Sequence, residues 1–118
     1  MTTETQTANT VLIVNREGMG DAEPPLRLRL LRNYLALLLE NRTLPRAVCF
    51  YAEAVRLVVA GSPLLDVLQS LEARDVLLIS CSTCLNHFGL ADQVEVGIVG
   101  GMHDIVATQW AAQKVITL

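Results

Sequence analysis

The stretch Asp75-Val-Leu-Leu-Ile-Ser-Cys-Ser-Thr-Cys-Leu-Asn-His-Phe-Gly89 decides how the chain is read. Val76 to Ile79 is a short β-prone apolar run, the kind that fills a strand covered on both faces. Composition turns small and polar at Ser80, and Cys81 and Cys84 follow with two residues between them. Leu85 to Phe88 has room for a turn or two of helix, and Gly89 suits its C-terminal stop. The pattern is strand, CxxC, helix start. Unpaired backbone N–H groups at a helix start favour negative charge. A thiol among them is expected to drop from about 8.5 toward the roughly 3.5–7.5 range of reactive cysteines. The plain reading is two half-buried cysteines filling core space.

Outward from that stretch the sequence alternates. Val11 to Val14 is a first strand, and Asn15 to Pro25 is a loop with Gly18, Gly20, Asp21 and Glu23. A prolyl first turn at Pro24-Pro25 opens a helix to about Glu40. Leu28, Leu31, Leu35 and Leu38 form its stripe, with Leu30, Tyr34 and Leu37 beside it. A stripe that wide predicts burial against a sheet and a second neighbour, such as another subunit. Asn41 to Arg46 connects to a second strand, Ala47 to Tyr51, with Cys49 in the core. Glu53 to Gly61 fits an extended segment or a helical turn. Ser62-Pro63 reads as N-cap and first helical residue of a helix to about Ala73. After the CxxC, Val94 to Val99 is a fourth strand, Met102 to about Ala112 a helix, and Lys114 to Leu118 a fifth strand. Such alternation predicts βαβ units and an α/β fold with a mainly parallel sheet. Ligands of such sheets sit outside the carboxyl ends of the strands, where Cys81 stands.

Composition bounds the function. The 118 residues make one domain, 11–118, behind a solvated tail at residues 1–10. Apolar residues are 52% and aromatics only 4%, so the core is aliphatic. A net charge of −3 and scattered arginines argue against nucleic acid as a partner. No apolar run approaches the roughly 18 residues of a membrane span, and the Thr-rich start lacks the pattern of a signal peptide. Three cysteines then imply a reducing, cytoplasmic setting, where CxxC means redox, metal or sulfur chemistry.

Four chemistries compete for the pair. Metal would take Cys81, Cys84 and His87, but a structural zinc wants four ligands and no second CxxC exists. No metal or cofactor is therefore expected. A thioredoxin-like dithiol has this motif, but here it comes late in the chain and no proline follows Pro63. A cysteine nucleophile has His87 or His103 as its base. Sulfur relay needs one accessible, activated thiolate. Gly18-Met-Gly-Asp21 lacks the glycine patterns of phosphate loops and reads as a turn. Gly100-Gly-Met-His-Asp104 places glycines before a helix, on the strand edge that also carries Cys81.

The segments Leu78-Ile-Ser-Cys-Ser-Thr-Cys-Leu-Asn-His-Phe-Gly-Leu90, Gly101-Met-His-Asp-Ile-Val106 and Lys114-Val-Ile-Thr-Leu118 closely resemble the DsrE-like family. Within it, the carboxyl-terminal domain of YedF-like proteins looks most similar. The resemblance runs from about Thr10 to the end and implies a three-layer α/β/α fold with a five-stranded parallel sheet, in trimers or hexamers. It also implies sulfur relay, a sulfurtransferase-like activity. The family's acceptor cysteine stands eight residues before a glycine, which maps the role onto Cys81, before Gly89. The spacing of the two cysteines, three residues apart across a helix start, separately predicts Cα atoms within the roughly 4.4–6.8 Å span of a disulfide. That makes Cys84 the second thiol that discharges Cys81, or a structural residue where the thiols point apart. Gly101, Met102 and His103 become pocket candidates. The implied partner is a sulfur donor or acceptor protein of the TusA-like kind. Three departures stand out: Ser82 replaces a usual glycine, Met1 to Thr10 cannot be a TusA-like domain, and Glu53-Ala-Val55 follows the second strand where a glycine is usual. Alternatives within the fold are a non-catalytic oligomeric scaffold or small-ligand-binding module, and a dithiol redox protein.

Overall fold

The computed structural model describes Thr5, Gln6 and residues 9–118. In chain order, Thr5–Gln6 (β1) precedes Thr10–Val14 (β2), Pro24–Asn41 (α1), Thr43–Leu44 (β3) and Ala47–Phe50 (β4). A 3-10 helix at Ala52–Val58 comes next, then Leu65–Ala73 (α2), Leu77–Cys81 (β5) and Ser82–His87 (α3). Ile98–Gly100 (β6), Met102–Ala111 (α4) and Lys114–Thr117 (β7) complete it. Five strands form one parallel sheet in the order β6-β5-β4-β2-β7. The expected α/β class and sheet are therefore present. β1 pairs in parallel with β3 apart from that sheet. Residues 1–4 and 7–8 of the expected tail lie outside the described residues.

Right-handed crossovers put α1 and α2, which pack together, on one face. The connection from β6 to β7 runs back across the sheet, so α4 covers the other. β2, β4 and most of β5 are buried, and Leu31, Leu35, Leu68 and Leu71 close over them from α1 and α2. Arg32 bonds the two helices: its Nη1 donates to Asp66 Oδ2 at 3.1 Å and its Nη2 to Oδ1 at 2.7 Å, and Nη2 also reaches the Pro63 carbonyl. The Arg32 hydrogen bond holds the Asp66 carboxyl below its ordinary value. A lowered folded-state value gives stability above the unfolded value and loses it as pH falls through the folded one. Urea midpoints across the acid range should show Arg32→Met flattening that limb, by a small amount because the pair is exposed. An unchanged acid limb would dismiss the contribution.

Three local readings change. The fourth strand is Ile98–Gly100 rather than Val94 to Val99. Gly97 has φ 76°, and a Cβ there would lie 2.7 Å from the Leu78 carbonyl oxygen. The chain turns at this contact, leaving Val94 in an isolated antiparallel bridge with Val59. α2 starts at Leu65, two residues later than Ser62-Pro63 suggested, because the Ser62 hydroxyl accepts the Leu64 N–H at 3.1 Å in a local turn. The ambiguous segment after β4 is the 3-10 helix, entered through Ala52 at φ 55°.

Candidate functional site

β5 delivers Cys81 to the carboxyl edge of the sheet, beside β6, with Cys81 opposite Gly100 in the parallel ladder. The CxxC and the Gly100-Gly101 loop therefore share one edge, as expected. Extended backbone (φ −69°, ψ 120°) makes Cys81 the N-cap of α3, yet its side chain bonds none of the helix N–H groups. It is also wholly buried, at 0% exposure. Both observations differ from the accessible, helix-activated thiol expected at this position. α3 ends as expected: Gly89, at φ 69°, takes the left-handed turn while the Leu90 N–H bonds the Leu85 carbonyl at 2.8 Å.

Cys84, one turn further on, is half-buried. Its Sγ accepts the backbone N–H of Ala52 at 3.1 Å, from the loop after β4. Burial pushes the Cys84 thiol up, the Ala52 N–H opposes that, and the neighbouring Cys81 thiol adds to the rise by hydrogen bonding and charge. The lowering expected of a helix-start thiol concerned Cys81, and the rise at Cys84, a turn further in, is set by burial instead. Cys81, Cys84 and Cys49 are all free thiols. Cys49 is buried in β4 as expected, and burial pushes its thiol up to about 11.

Ala52 is an unusual partner for a sulfur. Its positive φ costs an L-residue roughly 1–2 kcal/mol, and this is the loop where a glycine was anticipated. Ala52→Gly keeps the N–H and removes the crowding, so it should raise unfolding stability by about 1 kcal/mol. Denaturant midpoints check this. A destabilised variant would mean the Ala52 methyl contributes more than its backbone strain costs.

An open depression of about 530 Å³ lies at the ends of β2 and β4. Its walls are Arg16, Glu17 and Asp21 from the first loop, Arg27 from α1, and residues 51–53. Arg27 shapes the loop by donating Nε to the Glu17 carbonyl at 3.2 Å and Nη1 to the Ala22 carbonyl at 2.8 Å. Gly18 is pressed onto Arg27, with its Cβ position 2.5 Å from Arg27 Cβ, so the loop is a packed turn rather than a phosphate cradle. Arg56 joins this loop to the CxxC element. Its guanidinium lies 4.3 Å from the Phe88 ring centroid, 3.9 Å from Glu17 and 3.8 Å from Glu53.

Gly101, Met102 and His103 stand at the α4 start beside Cys81's strand but do not line the depression. The Gly101 N–H bonds Asp104 Oδ2 at 2.9 Å, and the His103 ring, 86% exposed, has Nε2 3.5 Å from that same oxygen. His87 packs edge-on against Phe88 at 5.0 Å. Sequence reasoning missed Ala52, Arg16 and Arg27. The available signal was the rule that placed Cys81, applied to the ends of the first two strands as well.

The profile of the DsrE/DsrF-like family matches residues 10–118. The chain belongs to that family. This DsrE/DsrF-like protein is similar in fold to the YchN protein from E. coli, with TM-score 0.71 and 21% identity over 93% of this chain and 98% of that one. It is also similar to MTH1491, a protein of unknown function from Methanobacterium thermoautotrophicum. There the TM-score is 0.70 and identity 20%, over 98% and 100% of the two chains. Identities this low speak for the fold alone. A comparison with curated proteins finds no match. Among the described residues, no helix is long and apolar enough to cross a membrane.

Proposed function

We propose that this DsrE/DsrF-like protein is a sulfur carrier, sulfurtransferase-like in its chemistry, that holds sulfane sulfur on Cys81 and exchanges it through Cys84. The supporting observation is the adjacency of two free thiols at the carboxyl end of β5, one buried and one half-exposed. A donor persulfide R–S–SH loses its outer sulfur to the Cys84 thiolate, leaving RS⁻ and Cys84–S–SH. The Cys81 thiolate then takes that sulfur and regenerates the Cys84 thiolate. In the reverse sense, Cys84 attacks the Cys81 persulfide at Sγ, forming a disulfide and expelling HS⁻. An external thiol must then reduce the disulfide.

The proposed partners are a TusA-like donor or acceptor protein in the cytoplasm and further copies of this chain. The CxxC block, with Ser82 for glycine, keeps a YedF-like assignment as the finer proposal. A scaffold using neither thiol is the second reading, favoured by the complete burial of Cys81. Intact mass after incubation with a sulfane-sulfur donor decides between them. A gain of one sulfur atom, removed by a reducing thiol, supports the carrier; an unchanged mass favours the scaffold.

Association as a trimer or hexamer is the accompanying proposal. α4 buries only Ile105 and turns Met102, Val106 and Trp110, at helical spacing, toward solvent. Trp110 is 86% exposed, and Ile98 and Val99 of the edge strand are about half exposed. Apolar surface of this kind ordinarily marks an interface. Sedimentation at micromolar protein should show an oligomer that Trp110→Asp dissociates. A monomeric wild type would contradict the proposal.

A further inference from the structure

We propose that the depression between the first loop and Tyr51–Glu53 seats a low-molecular-weight sulfur donor, the persulfide of an α-amino acid. The inference rests on the sulfur-carrier reading and adds the class of donor. Three features of the molecule lead to it.

The first is position. Ala52 lines the depression, and its N–H holds Cys84 Sγ at 3.1 Å. The cavity wall and the half-exposed thiol are therefore joined by one peptide group. The second is charge. The walls carry the guanidinium groups of Arg16 and Arg27 with the carboxylates of Glu17, Asp21 and Glu53. Arg27 is committed to backbone carbonyls, and Glu17 and Glu53 face Arg56. Arg16 and Asp21 have no side-chain hydrogen bond or ion pair among the described residues. Such walls repel a polyanion and do not suit a purely apolar guest. A free guanidinium takes a carboxylate in paired hydrogen bonds, and a free carboxylate takes an ammonium. The two groups together match the head of an α-amino acid. The third is size. About 530 Å³ lies within the usual 300–1,000 Å³ of ligand sites and exceeds what one amino-acid persulfide needs.

In the step this implies, the Cys84 thiolate attacks the outer sulfur of the bound persulfide. A bond forms between Cys84 Sγ and that sulfur, and the donor's S–S bond breaks. The amino-acid thiolate leaves with the electron pair, while the persulfide proton stays on the transferred sulfur. No oxidant or reductant is consumed. Arg16 acts as a specificity residue on the donor's carboxylate.

Loading rates followed by intact mass test this with three donors: cysteine persulfide, the persulfide of 2-mercaptoethanol, and inorganic polysulfide. The wild type should load about tenfold faster from cysteine persulfide than from the neutral persulfide, the discrimination one charged contact supplies. Arg16→Gln should bring that ratio near one, and Arg29→Gln, an exposed change on α1, should preserve it. Equal rates from both organic persulfides in a wild type that polysulfide loads would overturn the donor site and leave the carrier reading intact. S-Methyl-L-cysteine, which has no sulfur to give, separates the opposite case. Its binding by titration calorimetry, lost in Arg16→Gln, supports the amino-acid seat even if no donor loads the protein. No binding of this probe, together with an unselective ratio, overturns the seat.

Discussion

Cys81→Ser protein is expected to form only a short-lived persulfide on the half-exposed Cys84 and to lose it to a brief thiol wash, whereas wild type retains one sulfur atom. Cys84→Ser should still load, but about tenfold or more slowly, and should release no sulfide on standing. The difference follows from burial. Cys81 has no exposed surface, so in the proposed relay small donors would reach it through Cys84, which is half-exposed and would hold sulfur only in passing. Burial also pushes the Cys84 thiol up, so wild-type loading should keep rising with pH beyond the ordinary thiol range. Intact mass, sulfide release and alkylation rates against pH read all three effects. Full loading of Cys81→Ser with none of Cys84→Ser would move the acceptor role to Cys84.

Gly97→Ala should destabilise the fold by about 3 kcal/mol, the sum of left-handed strain and backbone overpacking. The added methyl would sit 2.7 Å from the Leu78 carbonyl oxygen and 2.8 Å from Leu78 Cβ, atoms of a central strand that cannot step aside cheaply. It would also disturb the Gly97 N–H, which bonds Glu72 Oε2 at 2.9 Å. Because β6 begins at Ile98, the displacement should also spread to the Cys81–Gly100 pairing and slow sulfur loading. Urea denaturation measures the first effect and loading rate the second. A loss below about 1 kcal/mol would show that the strand gives way easily.

Periodicity and turn chemistry carried most of the architecture. Four of the five main strands, the long α1 with its prolyl start, and the Gly89 stop follow from local patterns strong enough to survive tertiary context. Val94 to Val99 misled because its apolar residues suit a strand, while the close approach of Gly97 to Leu78 is set by a neighbour distant in sequence. The site was half legible. The spacing of Cys81, Cys84 and Gly89 put the thiols at a strand end, and the common edge with Gly100 followed from the topology. The electrostatics did not follow. Nothing near Cys84 in the sequence announces that its sulfur meets Ala52, a residue 32 positions earlier. Nor does a strand-to-helix junction reveal how deeply the first cysteine is covered, because that cover comes from several segments at once.

For the proposed sulfur carrier, complete burial of Cys81 would make cargo retention a matter of kinetics. A persulfide on an open surface is lost at the rate at which oxidants and stray thiols collide with it. Behind packed side chains, the rate is scaled down by the fraction of time the surrounding structure is open. Each 1.4 kcal/mol of local opening free energy would then lengthen the sulfur's residence about tenfold. Substitutions that loosen the loop around Ala52 should shorten that residence without touching either cysteine.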